Sequence, residues 1–210
     1  MTMDKNQEHL ENLSEIRSLM ERSSSFLSLS GLSGVSAGII GLVTSIYVYF
    51  KLDFLLEHHR EYVTSAQGIK DTTLFFILLA VVVLGVTFGA AIFFTARKAR
   101  KKGLPVWDGS AKRLVINLFI PLAAGGVFSL ILVSHELYEL IAPSMLLFFG
   151  LALLNAGKYT FGEIKLLGYL EIVLGLAASY WTFLGIYFWA IGFGVLNIVY
   201  GVYMYIKYEK

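Results

Sequence analysis

No cysteine occurs in the 210 residues, which excludes disulfides, thiolate zinc sites, iron–sulfur clusters and cysteine nucleophiles. Charge is scarce too. Asp, Glu, Lys and Arg make up 15% of the chain, against roughly 25% in ordinary soluble domains. Walker and dinucleotide-binding glycine patterns are missing, as is GxSxG. The 4 histidines avoid the apolar stretches, so a haem held by paired histidines inside them has no ligands. The net charge of +2 is small, and the basic residues gather in one joint. That pattern is a topology signal and not a nucleic-acid footprint.

What is present is hydrophobicity. Apolar residues make up 57% of the chain and mean hydropathy is +0.70, a composition suited to a bilayer. A spanning helix needs about 20 apolar residues at roughly 1.5 Å each. The candidates are Ser28–Phe50, Thr73–Ala96, Leu114–Ser134, Leu140–Ala156, Leu166–Trp181 and Leu184–Ile206. The fourth and fifth are short, and are expected to lengthen into their flanks or to lie where the bilayer thins. Only Trp181-Thr182-Phe183 joins the fifth to the sixth, which predicts a tight antiparallel hairpin. The chain therefore reads as an all-α polytopic membrane protein. An amphipathic cytoplasmic helix fills residues 1–27 and a six-helix transmembrane domain residues 28–210. The mixed charge of Met1 to Ser25 is not that of a cleaved signal peptide, so the first segment is expected to remain as an anchor.

Six spans put both ends of the chain on one side. That side would hold 14 of the 17 basic residues, leaving Lys51, Arg60 and Lys70 on the other. Because positive joints stay in the cytoplasm, both termini are expected there. Leu10, Leu13, Ile16 and Met20 recur at helical spacing before the first span, as an interfacial or bundle-capping helix requires. The joint Arg97–Arg113 reads as a charged stop with Trp107 as interfacial anchor.

Small residues mark where membrane helices approach closely. Gly31, Gly34, Gly38, Gly41 and Ser45 form a stripe on one helical face, a packing surface and a candidate contact for a second copy of the chain. Gly85 and Gly89, then Gly168, Gly175 and Ala178, then Ala190, Gly194 and Gly201 mark other close approaches. Polar residues fall on the same faces. Glu171 lies between Gly168 and Gly175, and Asn197 lies between Gly194 and Gly201. Asn117 precedes Pro121 by four, and Asn155 ends the fourth segment. Counted from the inner ends, these four lie at depths of roughly 3–14 Å. A carboxylate in the membrane costs several kcal/mol unless paired or wetted, so Glu171 is a candidate proton, ion or ligand site. The plain structural reading stands beside it: Glu171 accepts hydrogen bonds from Asn or Tyr and holds the bundle together.

On the opposite side, His58, His59, His135, Glu136 and Glu139 could bind a divalent metal. Their spacing fits no HExxH pattern, and neighbouring histidines on a helix point apart. No other cofactor is implied. A solvated interfacial loop explains the same residues.

The stretches LSEIRSLMERSSSFLSLSGLSGVSAG (Leu13 to Gly38) and FWAIGFGVLNIVYGVYMYIKYE (Phe188 to Glu209) resemble a family of small multi-helix integral membrane proteins from Bacteroidota without an assigned activity. The similarity runs the length of the chain. It implies a bacterial inner-membrane protein and carries over no catalytic or binding residue. Family members beside a winged-helix regulator would suit a regulated or sensing role. Three functional classes remain open. One is a non-enzymatic protein binding or moving a small solute, ion or lipid through a cavity lined by Glu171, Asn117, Asn155 and Asn197. The second is an enzyme acting on a lipid or quinone through the outer His and Glu groups. The third is a structural or sensory subunit.

Overall fold

The structure, a computed structural model, describes residues 30–103, 106–107 and 109–210. The expected amphipathic helix over residues 1–27 lies outside them. Among the described residues there is no strand.

Helix α1 (Gly31–His58) leads through a short turn, α2 (Arg60–Thr64), into α3 (Ala66–Lys101). Helix α4 (Gly109–Ser134) follows, then a 3₁₀ turn (Tyr138–Leu140) that enters α5 (Ile141–Ala156). Helix α6 (Glu163–Tyr180) ends at a second 3₁₀ turn, Thr182–Leu184. The last rod is composite. It starts as α7 (Gly185–Trp189), widens into a π-helical stretch (Ala190–Leu196) and finishes as α8 (Asn197–Tyr208). The 3₁₀ turn before α5 supplies the lengthening that its short apolar run requires, and α6 gains its extra turn at the Glu163 end.

Five helices are long and apolar enough to cross a bilayer: α1, α3, α4, α5 with its 3₁₀ turn, and the composite rod. Their outer faces carry exposed Ile, Val, Leu and Phe, such as Val81, Val82, Ile92 and Phe93. A soluble protein hides such a surface; an integral membrane protein presents it to lipid. Helix α6 differs by carrying Glu163, Lys165 and Glu171. It nevertheless runs between the same two ends of the bundle. Glu163 accepts from Lys207 and Tyr208 at one end. Just past the other end, Thr182 donates to Glu139.

Glycine decides which helices pair. The stripe Gly31, Gly34, Gly38, Gly41 faces the chain's own last rod. A Cβ added at Gly38 would lie 2.6 Å from the Gly194 carbonyl oxygen, and one at Gly41 2.5 Å from that of Phe193. Gly150 and Gly168 do the same between α5 and α6, each within 2.9 Å of the other's carbonyl oxygen if given a Cβ. The hairpin expected at Trp181–Phe183 is consequently loose. Helix α6 packs chiefly on α5, and the last rod chiefly on α1. The glycine face that could have met a second copy is therefore filled from within the chain.

The bundle is tied at the end that holds Ser30 and the C-terminus. Glu209 accepts from the Ser30 hydroxyl at 3.2 and 3.1 Å and from the Gly31 amide, which caps the positive end of α1. Lys98, buried at the end of α3, lies 3.4 Å from the same carboxylate and over the Phe161 ring. Lys102 donates to the Tyr208 carbonyl at 2.9 Å.

Candidate functional site

Glu171 is 0% exposed. Its face of α6 also carries Leu167, Gly168 and Gly175, so the carboxylate enters the wedge where α5, α6 and the last rod converge. There the rod is π-helical. A π turn holds about one more residue than an α turn, is rare, and is frequently found at functional sites. Within it, Gly192 faces the carboxylate: a Cβ there would lie 2.5 Å from Glu171 Oε2 and would also strike Leu146 of α5. A side chain at this position would force Leu146 or the carboxylate to shift.

One polar group answers it. Asn197 Nδ2 donates to the Gly192 carbonyl at 3.1 Å and reaches Glu171 Oε1 at 3.5 Å. Among the described residues the second carboxylate oxygen, Oε2, has no hydrogen-bond partner. A buried polar atom left unpaired costs about 1–3 kcal/mol, and such atoms are few in native proteins. The Tyr200 hydroxyl is the other such atom among the described residues. It belongs to α8, three residues beyond Asn197, and the residue packs against the cluster formed by Leu153, Ile164 and Leu167.

The other two asparagines form a separate pair. Asn155 Nδ2 donates at 2.9 Å to the main-chain oxygen of Asn117, whose own side chain donates to Arg113 O at 2.8 Å within α4. Asn117 thus contributes a carbonyl, not its amide, and neither residue contacts Glu171 through a hydrogen bond. By hydrogen bonding, the four residues expected to line one cavity fall into two pairs on different helix contacts.

The outer histidines and glutamates do not form one centre. Among the described residues no three His, Cys, Asp or Glu side chains are placed to hold a metal ion. His58 stacks on Phe54 at 4.8 Å and His59 tilts against the same ring. His135 and Glu136 belong to the cap of α4. There Leu137 N bonds Leu132 O and Glu136 N bonds Val133 O, with Glu136 at φ 59°. These are the paired hydrogen bonds of a Schellman cap, whose left-handed position usually belongs to glycine. Glu139 accepts from Thr182 at 3.3 Å. Each residue has a local structural task. On the same side, Asp71 accepts from Tyr62 and Gln67, and the first of these bonds pushes the Tyr62 phenol above its ordinary range.

The sequence does signal Gly192, through Gly192-Phe193-Gly194. Glycines two apart cannot share one helical face, so each must serve a different neighbour. Gly194 serves Leu42 of α1 and Gly192 serves Glu171. Tyr200 carries no such mark, being one of 12 tyrosines. Comparison with protein families, curated proteins and solved structures finds no match for this chain.

Proposed function

We propose that the chain is a non-enzymatic integral membrane protein of six crossings that binds, and through that binding moves or senses, a small cation or a proton at Glu171. The observation that carries this reading is the fully enclosed carboxylate with one oxygen unpaired, set against a π-helical stretch. Buried polar atoms in native proteins are mostly paired. This carboxylate uses one oxygen, at 3.5 Å.

Support for six crossings comes from α6, whose 18 residues rise about 27 Å, close to a hydrocarbon core of about 30 Å. Ser30 beside Glu209 agrees with an even number of crossings. The excess of Lys and Arg at that end argues for termini in the cytoplasm of a bacterium, as the resemblance to the Bacteroidota family also does. The site then lies in the cytoplasmic half of the bundle. Since the chain lacks cysteine, single cysteines in place of Trp107 and of His135 can report topology without background. A membrane-impermeant maleimide added outside intact cells should label position 135 and spare position 107; the reverse pattern would sink the orientation. Glu171→Gln, nearly isosteric, should abolish cation- or proton-linked signals of reconstituted protein while the fold persists. Retained signals would remove Glu171 from the function.

A further inference from the structure

We infer that the occupant of Glu171 is a proton, and that it arrives along the seam between α6 and the last rod with the Tyr200 hydroxyl as an intermediate station. The inference rests on reading Glu171 as the binding site and names what that site takes and how.

Space argues for the proton. Around Oε2 the wall is Gly192, whose missing Cβ is what makes room, together with Leu146. The polar contact of the carboxylate is a neutral amide, Asn197. Hard metal cations take six or more oxygen ligands, and a carboxylate beside one amide and an aliphatic wall does not supply them. An organic amine would have to displace the leucine. A proton needs no volume.

Position argues for the seam. The buried side-chain polar atoms that lack a partner among the described residues are Glu171 Oε2 and Tyr200 Oη. Both belong to the interface of α6 with the last rod. Tyr200 lies one turn nearer the C-terminal end than Asn197, about 4.5 Å along the axis. It packs against the cluster of Leu153, Ile164 and Leu167, of which the last two lie on α6 between Glu171 and the Glu163 end of that helix. At that end Glu163, partly buried beside an exposed Lys207, accepts from Lys207 and from Tyr208 at 2.7 Å, so a carboxylate that solvent reaches in part marks the mouth. Few other ionisable groups border the route. Helix α5 has none between Ile141 and Ala156. On α6, Lys165 and Tyr169 are away from the buried face; on α8, Tyr203 and Tyr205 are exposed. Those of α1 begin at Tyr47, toward the opposite end. In the transfer the phenol oxygen accepts a proton from the Glu163 side and releases its own O–H proton toward Glu171, so the hydroxyl ends as it began.

The test is a rapid acid step on protein reconstituted in vesicles, followed by infrared detection of the protonated-carboxyl stretch. A band should rise in the native protein and be missing in Glu171→Gln. Tyr200→Phe deletes an unpartnered hydroxyl and keeps the ring. It should slow the rise by about tenfold or more with unchanged final amplitude and unfolding midpoint. Absence of any Glu171-dependent band overturns the binding site itself. An equally fast rise in Tyr200→Phe overturns the seam and leaves the site standing. Displacement of the band by sodium or potassium at constant pH overturns the proton as occupant.

Discussion

Asn155 donates its side-chain amide to the main-chain oxygen of Asn117 across the α4–α5 contact, at 2.9 Å. The reason lies four residues further on. Pro121 lies inside α4 and has no N–H, so the Asn117 carbonyl is denied its usual helical partner. In a bilayer such an orphan must be satisfied by a neighbouring helix or a side chain. Asn155→Ala should therefore destabilise the protein by about 1 kcal/mol. The same substitution in a Pro121→Ala background should cost clearly less, because the restored amide takes over the carbonyl. Reversible unfolding in detergent, read as a double-mutant cycle, measures the difference. Equal costs in both backgrounds would disconnect Asn155 from the proline.

Two glycine motifs that look alike in sequence should respond oppositely. Gly38→Ala places a methyl 2.6 Å from the Gly194 carbonyl and 2.7 Å from the Ile198 amide nitrogen, and backbone cannot yield cheaply. The helices must separate, with a loss of about 1–3 kcal/mol. Gly85 and Gly89 have nothing within 4 Å, so alanine there should be neutral or stabilise by up to about 1 kcal/mol through helix propensity. Thermal unfolding of the three single variants decides it.

These glycines and asparagines show what is legible in the sequence. The class of fold follows from apolar runs of sufficient length, and the glycines that flank Glu171 and Asn197 place both on close-packed faces. The identity of each glycine's neighbour does not follow: small-xxx-small spacing reports that a close approach is permitted, and Gly85 with Gly89 shows the permission unused among the described residues. The π stretch is hidden for a related reason. Apolar periodicity over seven residues does not separate a wide turn from a regular one. Asn117 misleads because its side chain draws the eye, while the group that matters is the carbonyl that Pro121 strands.

Glu136 at φ 59° holds the left-handed position of the α4 cap, where a side chain costs about 1 kcal/mol relative to glycine. Glu136→Gly should accordingly raise stability by several tenths to about 1 kcal/mol. A fall instead would mean that the carboxylate has a role the cap does not explain. Calorimetry or fluorescence-detected melting is sufficient for this measurement.

Glu209 ties three helices at once, through Ser30 and Gly31 of the α1 terminus, Lys98 of α3 and its own attachment to α8. Lys98 is 6% exposed, so removing its counter-charge leaves an ammonium in a site that water barely reaches. Breaking such a pair costs about 3–5 kcal/mol in a dry interior. At the membrane boundary the lower end, about 3 kcal/mol, is the expectation for Glu209→Ala. Glu209→Gln keeps an acceptor for the Ser30 hydroxyl and the Gly31 amide, and should lose less. Lys102→Ala removes the bond to the Tyr208 carbonyl from an exposed position, where a single hydrogen bond is worth about 1 kcal/mol or less. An order with Glu209→Ala worst, Glu209→Gln intermediate and Lys102→Ala mildest is the signature of a buried charge combined with a helix cap. If the two Glu209 variants unfold alike, the cap contributes nothing and the ion pair carries the whole effect.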